Sequence, residues 1–187
     1  SWQSEIGADY SYSFLASEQY ARIPSGFVEL RKEFATGTFF RTRYTFSDID
    51  MLAMNNDLLS GTRSRLQLEA GRKWGRKRAA LEYMLELNDR DNPDESPTRI
   101  GLKLKLNLKP ARNTSLNATA GYRQSSYEIN GAADRDDELT LASLRLAYNV
   151  TRDWIMGVEY RYEDNQSSAA FHEYTRNMVL LNVTRNF

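Results

Sequence analysis

Charged side chains recur at alternate positions along much of this 187-residue chain, and they are the residues best able to do chemistry. Arg41 and Arg43 are separated by one residue, as are Lys103 and Lys105. Side chains two residues apart share a face of an extended strand, so the spacing predicts one charged face, on which basic residues outnumber acidic ones and would favour anionic solutes. Its members are Glu29, Arg31, Arg41, Arg43, Arg65, Glu69, Arg78, Glu82, Glu86, Lys103, Lys105, Arg123, Arg145, Glu159, Arg161 and Arg176.

The only histidine offers a second kind of chemistry. His172 adjoins Glu173, with Asp164 and the pair Ser167 and Ser168 shortly before it. A histidine beside a carboxylate can act in general acid–base hydrolysis, and a nearby serine suggests a lipase. The chain has no nucleophile-elbow motif around these serines, so we expect a solvated loop histidine and no enzymatic activity. A hydrolase using His172 is the minor alternative.

Several other classes of chemistry are excluded by composition. The chain has no cysteine, which removes disulfides, thiolate metal sites and thiol nucleophiles. Its 25 basic and 25 acidic residues balance, and no phosphate-binding loop or strip of basic and aromatic residues is present, so we expect no nucleic-acid partner. Acidic runs at 89–95 and 134–138 lack the full spacing of a calcium loop. We therefore predict neither a metal nor a cofactor.

The elements that carry the charged face are β-strands. From Ile100 to Leu108 every second residue is Ile or Leu, and the residues between them are Gly, Lys, Lys and Asn. This period of two predicts a strand with one apolar face. Similar segments recur along the chain and predict about ten strands in a single domain spanning 1–187. No apolar run approaches the roughly 18 residues that a membrane helix requires.

The connections between these strands alternate in length. Short turns are predicted near 36–37, 74–77, 109–113 and 149–153, and longer loops near 16–26, 47–61, 88–97, 128–137 and 164–173. Short turns on one side and longer loops on the other are typical of a transmembrane antiparallel up-and-down β-barrel. The sequence therefore predicts periplasmic turns, extracellular loops, a lumen lined by the charged face, and periplasmic termini.

Aromatic residues on the apolar face fall near the expected ends of the strands. Trp and Tyr concentrate at both membrane–water interfaces of barrel proteins, which predicts two aromatic girdles. The interface aromatics are Tyr12, Phe14, Trp74, Trp154, Tyr160, Tyr162 and Phe187.

The end of the chain resembles bacterial outer-membrane proteins. Phe187 is the last residue, and Val179, Leu181 and Val183 precede it at alternate positions. This ending is similar to the signal read by the barrel assembly machinery, which implies insertion by that route. The segments 148–154, 160–164 and 174–177 resemble the last strands of barrels from exopolysaccharide-export loci, and similar endings occur in barrels that surround outer-membrane cytochromes.

Two functional interpretations remain open at this point. The chain is a narrow conduit or scaffold component, in polysaccharide export or in a larger envelope complex, or it is a closed structural barrel whose salt-bridged lumen conducts nothing and which holds a partner protein. Expected partners are outer-membrane lipid and lipopolysaccharide, with the assembly machinery during insertion. An apolar cluster over 51–59 is expected to cap the barrel mouth as a short helix or to contact a partner.

Overall fold

The computed structural model describes residues 2–15, 18–52, 59–129, 133–151 and 153–185, except for the side chains of 13–15 and 18–20. Two short 3-10 helices, Pro93–Glu95 and Ala170–His172, lie in the loops, and no helix in these ranges is long and apolar enough to span a membrane. The strands are β1 (Trp2–Leu15), β2 (Glu18–Glu33), β3 (Thr38–Met51), β4 (Gly61–Trp74), β5 (Lys77–Arg90), β6 (Thr98–Ala111), β7 (Thr114–Tyr127), β8 (Arg135–Asn149), β9 (Trp154–Ser167) and β10 (Tyr174–Arg185).

Each strand pairs antiparallel with the next one along the chain, which gives one ten-stranded sheet in sequence order. This confirms the up-and-down architecture and the number of strands predicted from the alternation. Among the described pairings, β1 and β10 are the two edges of the sheet. Ile6 on β1 and Leu181 on β10 are each 82% exposed, because each has a neighbouring strand on one side.

The two faces of the sheet differ in chemistry. On β6 the residues Ile100, Leu102, Leu104 and Leu106 point to the outer face and are exposed, whereas Lys103 and its alternate neighbours point to the inner face. The registers carry this separation from strand to strand; Leu104, for example, lies opposite Leu81 on β5 and Ala120 on β7. The sheet therefore presents an apolar outer wall and a polar inner face, as a barrel in lipid requires.

Four of the connections are tight. They occupy 34–37, 75–76, 112–113 and 150–153, and Gly37 and Gly75 adopt positive φ values of 82° and 57° in two of them. Glycine takes up that conformation without a steric penalty. The short turns are thus found where the sequence predicts them.

The predicted loop over 16–26 is wrong. β1 and β2 pair as far as Leu15 and Glu18, so only residues 16 and 17 connect them. The other longer connections are also shorter than expected, because most strands contain 14 residues. The strands continue past the apolar band, where the outer face no longer needs apolar side chains: Arg22 on β2 pairs there with Asp50 on β3 at 2.5 Å.

Substitution of the outer wall tests its orientation. Leu104, at the middle of β6, is 46% exposed. We expect Leu104→Arg to destabilise the barrel in lipid by about 2–4 kcal/mol, the cost of Arg at the bilayer midplane of a β-barrel. Thr98→Arg, on the same face at the loop end of β6, should cost about 1 kcal/mol or less. Urea titration in phospholipid vesicles measures both, and equal effects would contradict the assigned wall.

Candidate functional site

The centre of the inner face is a network of ion pairs across β3 to β6. The buried carboxylate of Glu69 lies 2.6 Å from Arg41, 2.5 Å from Arg78 and 3.7 Å from Lys105. Glu82, also buried, lies 2.5 Å from Lys105 and 3.6 Å from Arg41. Buried charges are tolerated when they are paired and hydrogen-bonded, and here two carboxylates share three cations.

A second group lies closer to the loops. Glu86 is 1% exposed and is held by Arg65 on β4, whose Nε donates at 2.6 Å, and by Arg99 on β6 at 2.8 Å. Asn88 donates its amide N–H to the same carboxylate at 3.1 Å. We call Arg65, Glu86, Asn88 and Arg99 the Glu86 cluster; it joins three neighbouring strands through one side chain.

Ion pairs continue towards both edges of the sheet. Glu29 lies 4.0 Å from Arg41 and 3.7 Å from Arg43, which also approaches Asp9 at 3.7 Å. Further pairs lie along β2, along β9, and between β9 and β10; they are Arg31–Glu33, Arg161–Glu159 and Arg176–Glu163. The structure therefore brings most of the predicted charged residues into ion pairs on one face.

Three of the predicted basic residues remain outside this pairing. Within the described ranges, Lys103, Arg123 and Arg145 form no ion pair. A recess of about 290 Å³ opens beside the network and is lined by Arg41, Glu69, Arg78, Lys105, Asn107 and Asn117 among others. Lys103 and Arg145 lie opposite Glu82 and Glu159 in the strand register, but those carboxylates pair with other cations. The inner face thus combines a paired centre with an excess of basic residues.

Aromatic rings on the inner face were not predicted. Phe39 is 1% exposed and covers Gly71, where an added Cβ would lie 2.6 Å from the ring. The guanidinium of Arg78 lies over the other side of the ring, 4.4 Å from its centroid. Phe27 repeats the arrangement over Gly7, with Arg43 at 3.8 Å. Each ring fills the space left by a glycine and holds a cation of the network in place.

The aromatic residues of the outer face are partly where the sequence predicts them. Trp74 and Trp154 lie at the turn ends of β4 and β9, and Trp2, which the prediction missed, lies near the same level. Tyr12 and Tyr162 lie towards the loop ends of β1 and β9. Two of the predicted tryptophans thus lie at the turn end of the wall, and two of the predicted tyrosines lie towards its loop end.

Tyr160 departs from the prediction because β9 runs further than expected and leaves it midway along the strand. Its hydroxyl donates to Asn177 on β10 at 2.6 Å. Phe187 and the side chain of Phe14 lie outside the described residues.

His172 has a different neighbour from the one predicted. Its Nε2 lies 3.1 Å from Arg135, whereas Asp164 accepts from Thr175 and Ser167 donates to Asp137. Among the described residues, no group of three potential metal ligands occurs. The structure does not bring His172, a serine and a carboxylate together.

The apolar wall, the charged inner face and the ten-stranded meander define an outer-membrane β-barrel of porin-like type. Comparison with known proteins agrees: residues 89–187 match the family described as putative beta-barrel porin 2. The chain belongs to this family. A comparison with curated proteins gives no match.

Solved structures similar to the chain share the fold. A loop L8 deletion mutant of OmpT, an outer membrane protein of Vibrio cholerae, superposes with a TM-score of 0.65 at 15% identity over 98% of this chain and 62% of that one. In-vitro folded OmpT gives 0.59 at 13% identity, over 97% and 59%. The chain therefore spans about three-fifths of the length of these two structures.

Proposed function

We propose that this chain is a non-enzymatic conduit of the outer membrane that favours small anions. The observation that carries the proposal is the inner face, where the buried carboxylates of Glu69, Glu82 and Glu86 are paired while, in the described ranges, Lys103, Arg123 and Arg145 are not. Unneutralised positive charge in a cleft raises the local concentration of anions. The separate partners of His172, Asp164 and Ser167 support the absence of catalysis, because an acid–base cycle needs such groups within hydrogen-bond reach of one another.

The rest of the proposal concerns setting and partners. Outer-membrane lipid and lipopolysaccharide surround the apolar wall, the termini face the periplasm, and the barrel assembly machinery inserts the chain. The excess of basic residues suits an acidic polysaccharide, and the resemblance of the last strands to export barrels supports a role in polysaccharide export or in a larger envelope complex.

A second candidate is a scaffold that conducts nothing. The many ion pairs between β3 and β6 favour this scaffold, because the paired side chains occupy space on the inner face that a conduit would need. In this case the loops or the wall would hold another envelope protein.

Conductance in planar bilayers separates the two candidates. The conduit predicts discrete current steps and preference for chloride over potassium. Lys103→Gln should lower the anion-to-cation permeability ratio by roughly twofold, since a single charge at a pore wall changes the local potential by a few kT at most. Lys77→Gln, an equal change of charge at the exposed turn end of β5, should leave the ratio unchanged. A silent membrane, or equal ratios for both variants, would favour the scaffold.

A further inference from the structure

The loop end of the inner face contains a recess separate from the central network. Its volume is about 310 Å³. Ile23 from β2, Ile49 from β3 and Tyr127 from β7 form an apolar part of its wall, and Arg63, Arg90 and Arg99 line it from β4, β5 and β6. We call this the outer recess. It combines three basic residues with an apolar part of its wall.

The guanidinium groups of the outer recess exceed the carboxylates that could neutralise them. Arg63 donates to the hydroxyl of Ser47 at 3.4 Å, and Arg90 donates to the carbonyl of Leu59 at 2.7 Å. Neither forms an ion pair within the described ranges. Both partners are neutral, so no carboxylate of the described residues neutralises either guanidinium group.

The surroundings add further positive charge. Arg99 shares Glu86 with Arg65, and Arg123 lies on the adjacent strand opposite Gly101. The Nε atoms of Arg99 and Arg123 are buried and have no hydrogen-bond acceptor in the described part of the chain. Glu95 is the acidic residue among those lining the recess. Buried donors without acceptors are rare in native proteins, and each needs an explanation such as a bound ion or ligand.

We propose that the outer recess binds a small organic carboxylate with an apolar body, such as an aromatic carboxylate. Arginine presents a planar fork of donors that matches a carboxylate, and the Ile and Tyr side chains offer contact for a ring. The volume suits a molecule of this size. This inference rests on the proposed conduit: it adds a solute-binding site near the loop end and names the class of solute.

The probes are benzoate, acetate, inorganic phosphate and benzyl alcohol, titrated at constant ionic strength into the full chain folded in zwitterionic micelles. Saturation-transfer NMR measures binding, and empty micelles supply the blank. Benzoate should bind at least tenfold more tightly than acetate or phosphate, which lack the apolar body, and than benzyl alcohol, which lacks the charge. Equal binding of acetate or phosphate, or of benzyl alcohol, would overturn the assignment.

Three variants locate the binding. Arg63→Gln and Arg90→Gln should each weaken benzoate binding about tenfold. Arg76→Gln, at the exposed turn between β4 and β5, should leave it unchanged. Arg99 is kept because it pairs with Glu86, and heat-modifiable migration on gels verifies that each variant is folded. Unchanged affinity in both folded recess variants would refute the site.

Bilayer recordings on the same preparation distinguish this site from the conduit. Benzoate binding with a silent membrane would refute the conduit and retain the site. Anion-selective current without any benzoate preference would retain the conduit and refute the site.

Discussion

Phe39→Ala should destabilise the folded sheet by about 3–5 kcal/mol, the usual range for removal of a buried Phe. The side chain is 1% exposed and lies between Gly71 and the guanidinium of Arg78. Its removal opens a cavity over the glycine and frees Arg78, which also pairs with Glu69 at 2.5 Å. The loss therefore combines packing with loosening of the central network. Equilibrium urea unfolding in vesicles, followed by tryptophan fluorescence, gives the free energy of unfolding.

Phe40→Ala provides the matched control. The two residues are adjacent on β3, but Phe40 points to the outer wall and is 51% exposed. Lipid can fill the space that the truncated ring leaves, so the expected loss of unfolding free energy is less than half of that for Phe39→Ala. Equal losses would contradict the role of Phe39 as a buried element of the inner face.

The second large effect is expected at Glu86. Glu86→Gln removes the buried carboxylate shared by Arg65 and Arg99 and leaves two partly buried guanidinium groups without this counter-charge. Breaking a buried pair from one side typically costs about 3–5 kcal/mol. The same change should raise the preference for anions in any variant that still folds, because one negative charge is lost from the inner face.

Unfolding in urea and the reversal potential in a chloride gradient measure the two effects. Glu5→Gln serves as control, because Glu5 on β1 is exposed and forms no ion pair in the described ranges. It should leave stability within about 0.5 kcal/mol of the parent chain, as for most surface substitutions. A stable Glu86→Gln chain with unchanged selectivity would show that the Glu86 cluster is not a buried network.

The alternation of the sequence predicts most of the fold. On β6 the run from Ile100 to Leu108 fixes which residues meet lipid, and the structure confirms both faces of that strand. The same alternation predicts the charged face, because each residue between two apolar ones is assigned to the opposite side of the strand. Alternation carries this information because a β-strand between lipid and a polar interior has no other way to sort its side chains.

The ends of the strands could not be predicted in the same way. Beyond the apolar band the outer face has no need of apolar residues, and Arg22 and Asp50 pair there across β2 and β3. The periodic signal therefore fades while the strand continues. This is the physical reason that β2 begins at Glu18 rather than after a loop over 16–26.

The contents of the inner face depended on strand register, which a single sequence does not reveal. Gly71 and Phe39 are 32 positions apart and meet because β3 and β4 pair in one particular alignment. The same holds for Gly7 and Phe27 on β1 and β2. A large ring at an inward position with a glycine on the neighbouring strand is a usable signal once a register is proposed.

Residues 53–58 of the apolar cluster over 51–59 lie outside the described ranges. Met51 ends β3, and Met51 and Leu59 both line the outer recess. These two residues thus contribute to the mouth of the inner face rather than to an outer patch.

Among the described pairings β1 and β10 are the edges of the sheet, and this has a consequence for insertion. A strand that crosses the hydrocarbon core with about ten residues leaves roughly ten backbone N–H and C=O groups unpaired along a free edge. Each such group costs several kcal/mol in hydrocarbon, so two bare edges amount to tens of kcal/mol. Insertion into lipid is therefore unfavourable until the backbone groups of both edges are hydrogen-bonded, either to each other or to further strands. We therefore expect membrane insertion to depend on the pairing of these two edges more than on any single side chain.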